Sequence, residues 1–245
     1  MADPSHLIFG IHAVSEALRA GKELEKVLVR RGAANDQLRS LTIELRARHI
    51  PVQPVPPEKL NRVTRKNHQG IVAFLSEISY HRVTQLLPSV FEQGEDPLFL
   101  ILDGISDVRN FGAIARSAEC AGVHGLVIPF SGTASVNADA IKTSAGALHR
   151  IPVCRHRDLK GVIRFLRESG LQVFAATEKA PGTIYSEELS GPAAIILGSE
   201  EKGIGPVLLK EADRLVSIPM KGAISSLNVS VAAGIILFEV LRQRM

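Results

Sequence analysis

The chain has 245 residues, 45% of them hydrophobic, which is enough for a sizeable buried core and too much for a disordered chain. Two cysteines are too few for a disulfide-stapled scaffold, and no run approaches the roughly 18 apolar residues of a membrane span. The net charge is +4 and lies early: residues 1–78 hold 12 Lys+Arg against 8 Asp+Glu, leaving 17 of each for the rest. That imbalance suits a polyanion-facing module joined to a neutral one, or equally a mildly basic solvated surface.

Aromatic residues make up 4% and tryptophan is absent, so stacking platforms for single-stranded RNA are not expected to dominate recognition. The first ten residues have neither the basic start nor the apolar stretch of a secretory leader. With Cys120 and Cys154 read as buried thiols, the expectation is a reducing, cytoplasmic setting.

Ile11 to Ala20 reads as a short amphipathic helix with Ala13, Ala17 and Ala20 on one side, and His12 as a packed residue of it. Lys26 to Arg30 is a strand, and Gln37 to His49 places Leu38, Leu41 and Leu45 at helical spacing. Val52 to Val55 and Gly70 to Leu75 are further strands, the latter an apolar run typical of a covered sheet. The segment Asn61 to His68 concentrates basic and amide side chains in a loop. Residues 1–78 are therefore a small α/β domain, with 79–97 as a linker.

From Leu98 the alternation strengthens. Strands are expected at Leu98–Leu102, Gly125–Pro129, Leu171–Ala176, Ala193–Leu197 and Leu215–Ile218. Helices are expected at Asn110–Ala121, Ser135–Ala147, Lys160–Ser169 and Ser226–Arg242. Such alternation implies a mostly parallel sheet covered on both faces, and residues 98–245 form the second domain. Ligands of such sheets bind outside the carboxyl ends of strands, here the loops after Leu102, Leu197 and Ile218.

Those loops carry the unusual residues. The first leads into a helix of small residues that holds Asn110 and Arg116; a buried Arg there needs a carboxylate or phosphate partner, so a structural salt bridge is the plain alternative. The second is Gly198-Ser-Glu-Glu-Lys-Gly203, a glycine-rich acidic turn with neither the Rossmann nor the Walker spacing. The third places Ser226, Asn228 and Ser230 at the head of a greasy helix; capping accounts for one serine and leaves Asn228 to be explained.

Together the motifs N-x-G-A-x-x-R-x-A (Asn110 to Ala118), G-x-E-x-x-G (Gly198 to Gly203) and S-L-N-V-S-x-A (Ser226 to Ala232) resemble the signatures of the SpoU/TrmH family of RNA ribose methyltransferases, within the SPOUT class. Val108 stands where that family usually has proline. The N-terminal motifs Phe9-Gly-Ile-His-Ala-Val and Asn67-His-Gln-Gly-Ile-Val72 resemble a ribosomal-protein-like (L30e-like) substrate-binding domain of the branch acting on guanosine in 23S rRNA.

The resemblance implies a trefoil-knotted parallel-sheet catalytic domain, which general threading rules would not suggest. It implies Asn110, Arg116, Glu200, Ser226 and Asn228 as catalytic residues. It implies S-adenosylmethionine, with S-adenosylhomocysteine as product and no metal, held by backbone around Thr177, Gly198, Ile218, Met220 and Leu227. A homodimer acting on RNA, away from membranes, is the implied assembly, and Arg62, Arg65, Lys66, Asn67 and His68 are the candidate RNA contacts. Rival readings are a tRNA ribose methyltransferase, or a non-catalytic RNA-binding assembly factor on the same fold.

Overall fold

The chain divides between Ser79 and Tyr80 into two units, each with its own apolar core. The computed structural model describes residues 7–32, 35–224 and 226–245.

The first unit holds strands β1 (Leu7–Phe9), β2 (Leu24–Arg30), β3 (Val52–Val55) and β4 (Ile71–Leu75) in the order β1-β4-β2-β3. Helices α1 (Ile11–Arg19), α2 (Asp36–Ala47) and α3 (Pro57–Val63) connect them. The apolar run of β4 is explained by burial on both faces: Ile71 and Ala73 join a core with Val14, Leu41 and Leu45, while Val72 joins Leu28, Val55 and Leu60.

Two expectations change here. The buried stripe of α1 is Ile11, Val14, Ala17 and Leu18, with Ala13, Ala20 and His12 outside it, because the larger side chains remove more apolar surface from water. The segment from Asn61 is helical as far as Val63; Pro57 starts α3 with a φ already suited to a first helical turn.

The second unit is built on eight strands: β5 (Tyr80–His81), β6 (Leu98–Asp103), β7 (Gly125–Pro129), β8 (Val153–His156), β9 (Gln172–Ala176), β10 (Gly182–Thr183), β11 (Ala193–Gly198) and β12 (Arg214–Ser217). Their order is β10-β12-β9-β11-β6-β7-β8-β5, and every ladder is parallel. Helices α4 (Val83–Glu92), α5 (Val108–Cys120), α6 (Ala138–Thr143), α7 (Leu159–Glu168), α8 (Pro206–Leu209) and α9 (Val229–Arg244) complete it.

Phe99, Ile101, Val127 and Val173 share one core with residues of α4, α7 and α8. The alternate side chains Leu98, Leu100 and Leu102 are equally buried and, by the two-residue period of a strand, face the other way. Helix α9 packs on both α5 and β11. From β6 the chain runs outward through β7 and β8, then returns to β9, β11 and β12 on the opposite flank. The carboxyl ends of β6 and β11 therefore flank a topological switch point, where open α/β sheets place their ligands.

Residues 79–97 are not a bare linker. They carry β5 and α4, whose Val83, Leu87 and Val90 are buried at helical spacing. The helix expected over 135–147 shortens to α6, because Ala145 and Gly146 adopt positive φ and turn the chain into a 3-10 turn at Ala147–His149. Helix α9 begins at Val229, so Ser226 and Asn228 precede it. Cys154 is buried as expected, whereas Cys120 is exposed at the end of α5; both are free thiols.

Candidate active site

Three segments meet at the switch point. Asp107 caps α5, its Oδ1 accepting from the Arg109 and Asn110 backbone N–H groups at 2.8 and 2.9 Å. This fixes Asn110 in the first turn, just beyond the end of β6. Gly112 follows because α6 lies against α5: a Cβ there would stand 2.7 Å from Thr143 Cβ.

The loop after β11 is folded back on itself. Ser199 accepts from the Gly203 N–H at 2.8 Å through its carbonyl and from the Lys202 N–H at 3.2 Å through Oγ. A Cβ on Gly198 would lie 2.1 Å from the Gly203 carbonyl carbon, so only glycine permits the crossing. Asp103, at the end of β6, accepts from the Gly205 N–H at 2.8 Å and ties this loop to the neighbouring strand. Glu200 is thereby held at the mouth of the β6–β11 pair.

Asn228, the cap of α9, joins the two. Its Nδ2 donates to Asn110 Oδ1 at 3.0 Å and to Glu200 Oε1. Its Oδ1 accepts from the Ser230 N–H at 3.0 Å and from Ser230 Oγ at 2.5 Å. Glu200 Oε1 also receives the Val229 N–H at 3.4 Å. A carboxylate at the start of α9 is favoured by the positive end of the helix dipole. The result is a rigid amide–carboxylate cluster whose Glu200 Oε2 makes no hydrogen bond among the described residues.

Other expected site residues stand differently. Arg116 lies on another stripe of α5 from Asn110; its side chain is exposed and forms no ion pair or hydrogen bond among the described residues. Ser226 is exposed and likewise makes no hydrogen bond there. Strands β12, β9 and β11 are neighbours; Ile218 and Thr177 follow the ends of the first two, and Gly198 is the last residue of the third. The Thr177 N–H is bonded to Val216 O at 2.9 Å, while Met220 and Leu227 are exposed.

In the first unit Arg62 lies in the last turn of α3, and Arg65, Lys66 and Asn67 lie in the segment between α3 and β4. His68 is committed to its own turn: Nδ1 accepts from the Gly70 N–H at 3.0 Å, leaving Nε2 to donate to Asn61 Oδ1 at 3.0 Å. Gln69 Oε1 accepts from the Ile11 N–H at 2.9 Å, closing this loop on the start of α1. Sequence reasoning leaves Asp103 and Asp107 without site roles. Asp107 sits three residues before Asn110 in a capping position, and Ser230 follows Asn228 by two; both spacings are readable signals. Among the described residues no group of three His, Cys, Asp or Glu side chains could hold a metal ion, and no helix is long and apolar enough to cross a membrane.

Residues 97–238 match the model of the SpoU rRNA methylase family, and residues 7–81 match that of RNA 2′-O ribose methyltransferase substrate-binding domains. The chain belongs to the SpoU rRNA methylase family. It is 38% identical over 242 residues to the 23S rRNA (guanosine-2′-O-)-methyltransferase RlmB of Yersinia pestis, covering 98% of each chain. Against the RlmB of Escherichia coli strain K12 it is 36% identical, covering 98% of this chain and 99% of that one. Among solved structures, the SpoU methyltransferase AviRb from Streptomyces viridochromogenes, in complex with AdoMet, superposes with a TM-score of 0.62 at 25% identity, covering 97% of this chain and 90% of that one.

Proposed function

We propose that this chain methylates the 2′-hydroxyl of a guanosine in 23S rRNA, using S-adenosylmethionine. The observation that carries the reading is the cluster in which Asn228 joins Asn110 to Glu200 at the mouth of β6 and β11. Three motifs far apart in sequence supply it, and relatives of matching length carry that activity in their names.

When bound, the cofactor supplies a sulfonium methyl group for in-line attack by the ribose oxygen. It would lie against backbone around Thr177, Gly198, Ile218, Met220 and Leu227. The rest is the work of the chain. Glu200 Oε2 accepts from the ribose, oriented by the amide clasp on Oε1. Asn110 and Ser226 complete the wall that positions the nucleotide. Arg116, exposed on α5, grips a backbone phosphate and stabilises the oxyanion that develops as the hydroxyl proton passes to Glu200 Oε2 and from there to solvent. A guanidinium is a permanent cation, so we assign it electrostatic stabilisation rather than proton removal. Much of the rate then comes from holding the reacting atoms in line, which requires no metal.

In the same reading the second unit is threaded as a trefoil knot and the first has the L30e-like fold. Residues 1–78 select the RNA, with Arg62, Arg65, Lys66 and Asn67 on phosphates and His68 shaping the loop that presents them. The working form is a homodimer, for which the apolar side chains of Val231 and Phe238, each 49% exposed on α9, offer a contact surface. A reducing cytoplasm suits the two free thiols.

The test is Arg116→Ala in the intact chain, assayed on a 23S rRNA transcript and by calorimetry with S-adenosylmethionine. Transfer should be lost while cofactor affinity stays within about twofold. Retained turnover would remove Arg116 from the mechanism. Failure of the wild-type chain to methylate the transcript or ribosomal particles, with tRNA methylated instead or no RNA at all, would overturn the substrate.

A further inference from the structure

A groove of about 370 Å³ runs between α2 and the β2–β3 edge of the N-terminal sheet. Its floor is apolar, formed by Val29, Val52 and Pro54, and its walls carry Arg30, Arg31, Arg39 and Arg46. Among the described residues no Asp or Glu lines it. Arg39, Ile43 and Arg46 share one stripe of α2, turned away from the buried Leu41 and Leu45, while Leu38 joins the lining from the core side. Ile43 is 68% exposed on that stripe.

Two arginines elsewhere in this unit, Arg19 and Arg48, have partners. Arg48 donates to Glu44 at 2.7 Å and to Leu18 O at 3.0 Å, and Arg19 donates to Glu16 at 2.8 Å. Around the groove, Arg30, Arg31 and Arg46 have no ion pair among the described residues. Arg39 has only Asp36 at 3.8 Å, an exposed pair of little worth. Four guanidinium groups over an apolar floor, with the exposed Asp36 as their only ion-pair partner among the described residues, call for an anionic partner that also presents a flat or apolar face.

RNA has both. Guanidinium forks match phosphate oxygens, and their planes together with an apolar floor accept an unstacked base or a ribose. The groove also opens beside the loop after α3: the Arg30 N–H is bonded to Gly70 O at 2.8 Å, so the carboxyl end of β2 and the end of the 64–70 loop lie together. We propose that this groove is a second RNA-binding site, taking the phosphates of an unpaired segment that flanks the modified nucleotide. The proposal rests on the reading that the substrate is RNA.

It is tested with the intact chain and a 23S rRNA transcript, by binding across a salt series. The triple variant Arg31→Ala/Arg39→Ala/Arg46→Ala should bind at least about tenfold more weakly near ~0.15 M salt. Its log–log salt slope should be shallower by about two to three, or roughly 0.7–0.9 for each phosphate that the protein no longer neutralises. Cofactor affinity and thermal midpoint should not move, and the matching Arg→Lys triple variant should keep most of the slope. Wild-type affinity and slope in the alanine variant would overturn the proposal. So would unchanged transcript binding with reduced methylation of ribosomal particles alone, which would assign the groove to a protein. If the wild-type chain neither binds nor methylates RNA, the functional reading has failed and the groove falls with it. If the wild type methylates RNA and the alanine variant matches it throughout, only the groove is refuted.

Discussion

Asn228 Nδ2 donates to Asn110 Oδ1 at 3.0 Å across 118 positions of sequence, and the same nitrogen also holds Glu200. One side-chain amide thus fastens the head of α5, the loop after β11 and the head of α9. Asn228→Ala removes these bonds and the cap together. The helix-capping share should cost about 0.5–2 kcal/mol in a thermal or denaturant melt. Methyl transfer should fall by roughly two orders of magnitude, the usual cost of removing a preorganised polar group from a site. Asn228→Asp keeps a capping oxygen but sets a second carboxylate against Glu200. It should recover stability relative to alanine without recovering transfer; an active aspartate variant would show that the donor function of the amide is dispensable.

Gly198→Ala probes the crossing beneath Glu200. The added Cβ would stand 2.1 Å from Gly203 carbonyl carbon and 2.2 Å from Ile204 nitrogen, both backbone atoms that cannot rotate away. The loop must shift, at a cost of about 1–3 kcal/mol or more. Calorimetry should show cofactor affinity falling with it. Wild-type stability and affinity would mean that the loop has slack the packing does not reveal.

Glu211 gives a pH signature. Arg164 hydrogen-bonds it at 2.8 and 2.9 Å and, with Lys160, outweighs the opposing effect of burial, holding its carboxyl at about 2. An unfolded Glu titrates near ~4.3. The folded state therefore binds this proton less readily, so the stabilisation is complete above ~4.3 and is lost as pH falls toward about 2. Glu239 behaves alike through Arg242 and Gln243. In melts between about pH 5 and about pH 2.5, wild type should lose thermal midpoint more steeply than Glu211→Gln. Parallel profiles for the two proteins would dismiss the ion pair as a contributor.

The thiols should separate cleanly. Burial pushes the Cys154 thiol up to about 12, leaving almost no thiolate near neutrality, whereas Cys120 is exposed. A thiol reagent should take up one equivalent from native chain and a second only after denaturation, and Cys120→Ser should abolish the first. Fast uptake of two equivalents by the folded protein would contradict the buried position of β8.

What is readable in the sequence follows from how far each signal reaches. The run Leu98 to Leu102 marks a strand because both of its faces are buried, and the small residues after Asn110 mark a helix in close contact. Two-residue strands such as β5 and β10 leave no periodic trace. Helix α4 hides behind Pro88, which reads as a breaker yet lies inside it. The stripe of α1 misleads because its alanines recur at helical spacing without supplying most of the burial. At the site, local patterns place Asn110 and Asn228 at helix heads and Glu200 in the loop after a strand, but nothing local says which side chain sits between the others. The family resemblance groups Arg116 with Asn110 and Glu200; the folded chain sets Asn110 and Glu200 around Asn228.

The all-parallel sheet also has a temporal consequence. Its shortest-range ladder pairs Gln172 with Ala193, and β11 must slot between β9 and β6, whose partner residues lie as far back as Leu98. No hairpin can seed such an arrangement, so chain closure over long separations precedes any reward from pairing. The protein should therefore renature slowly.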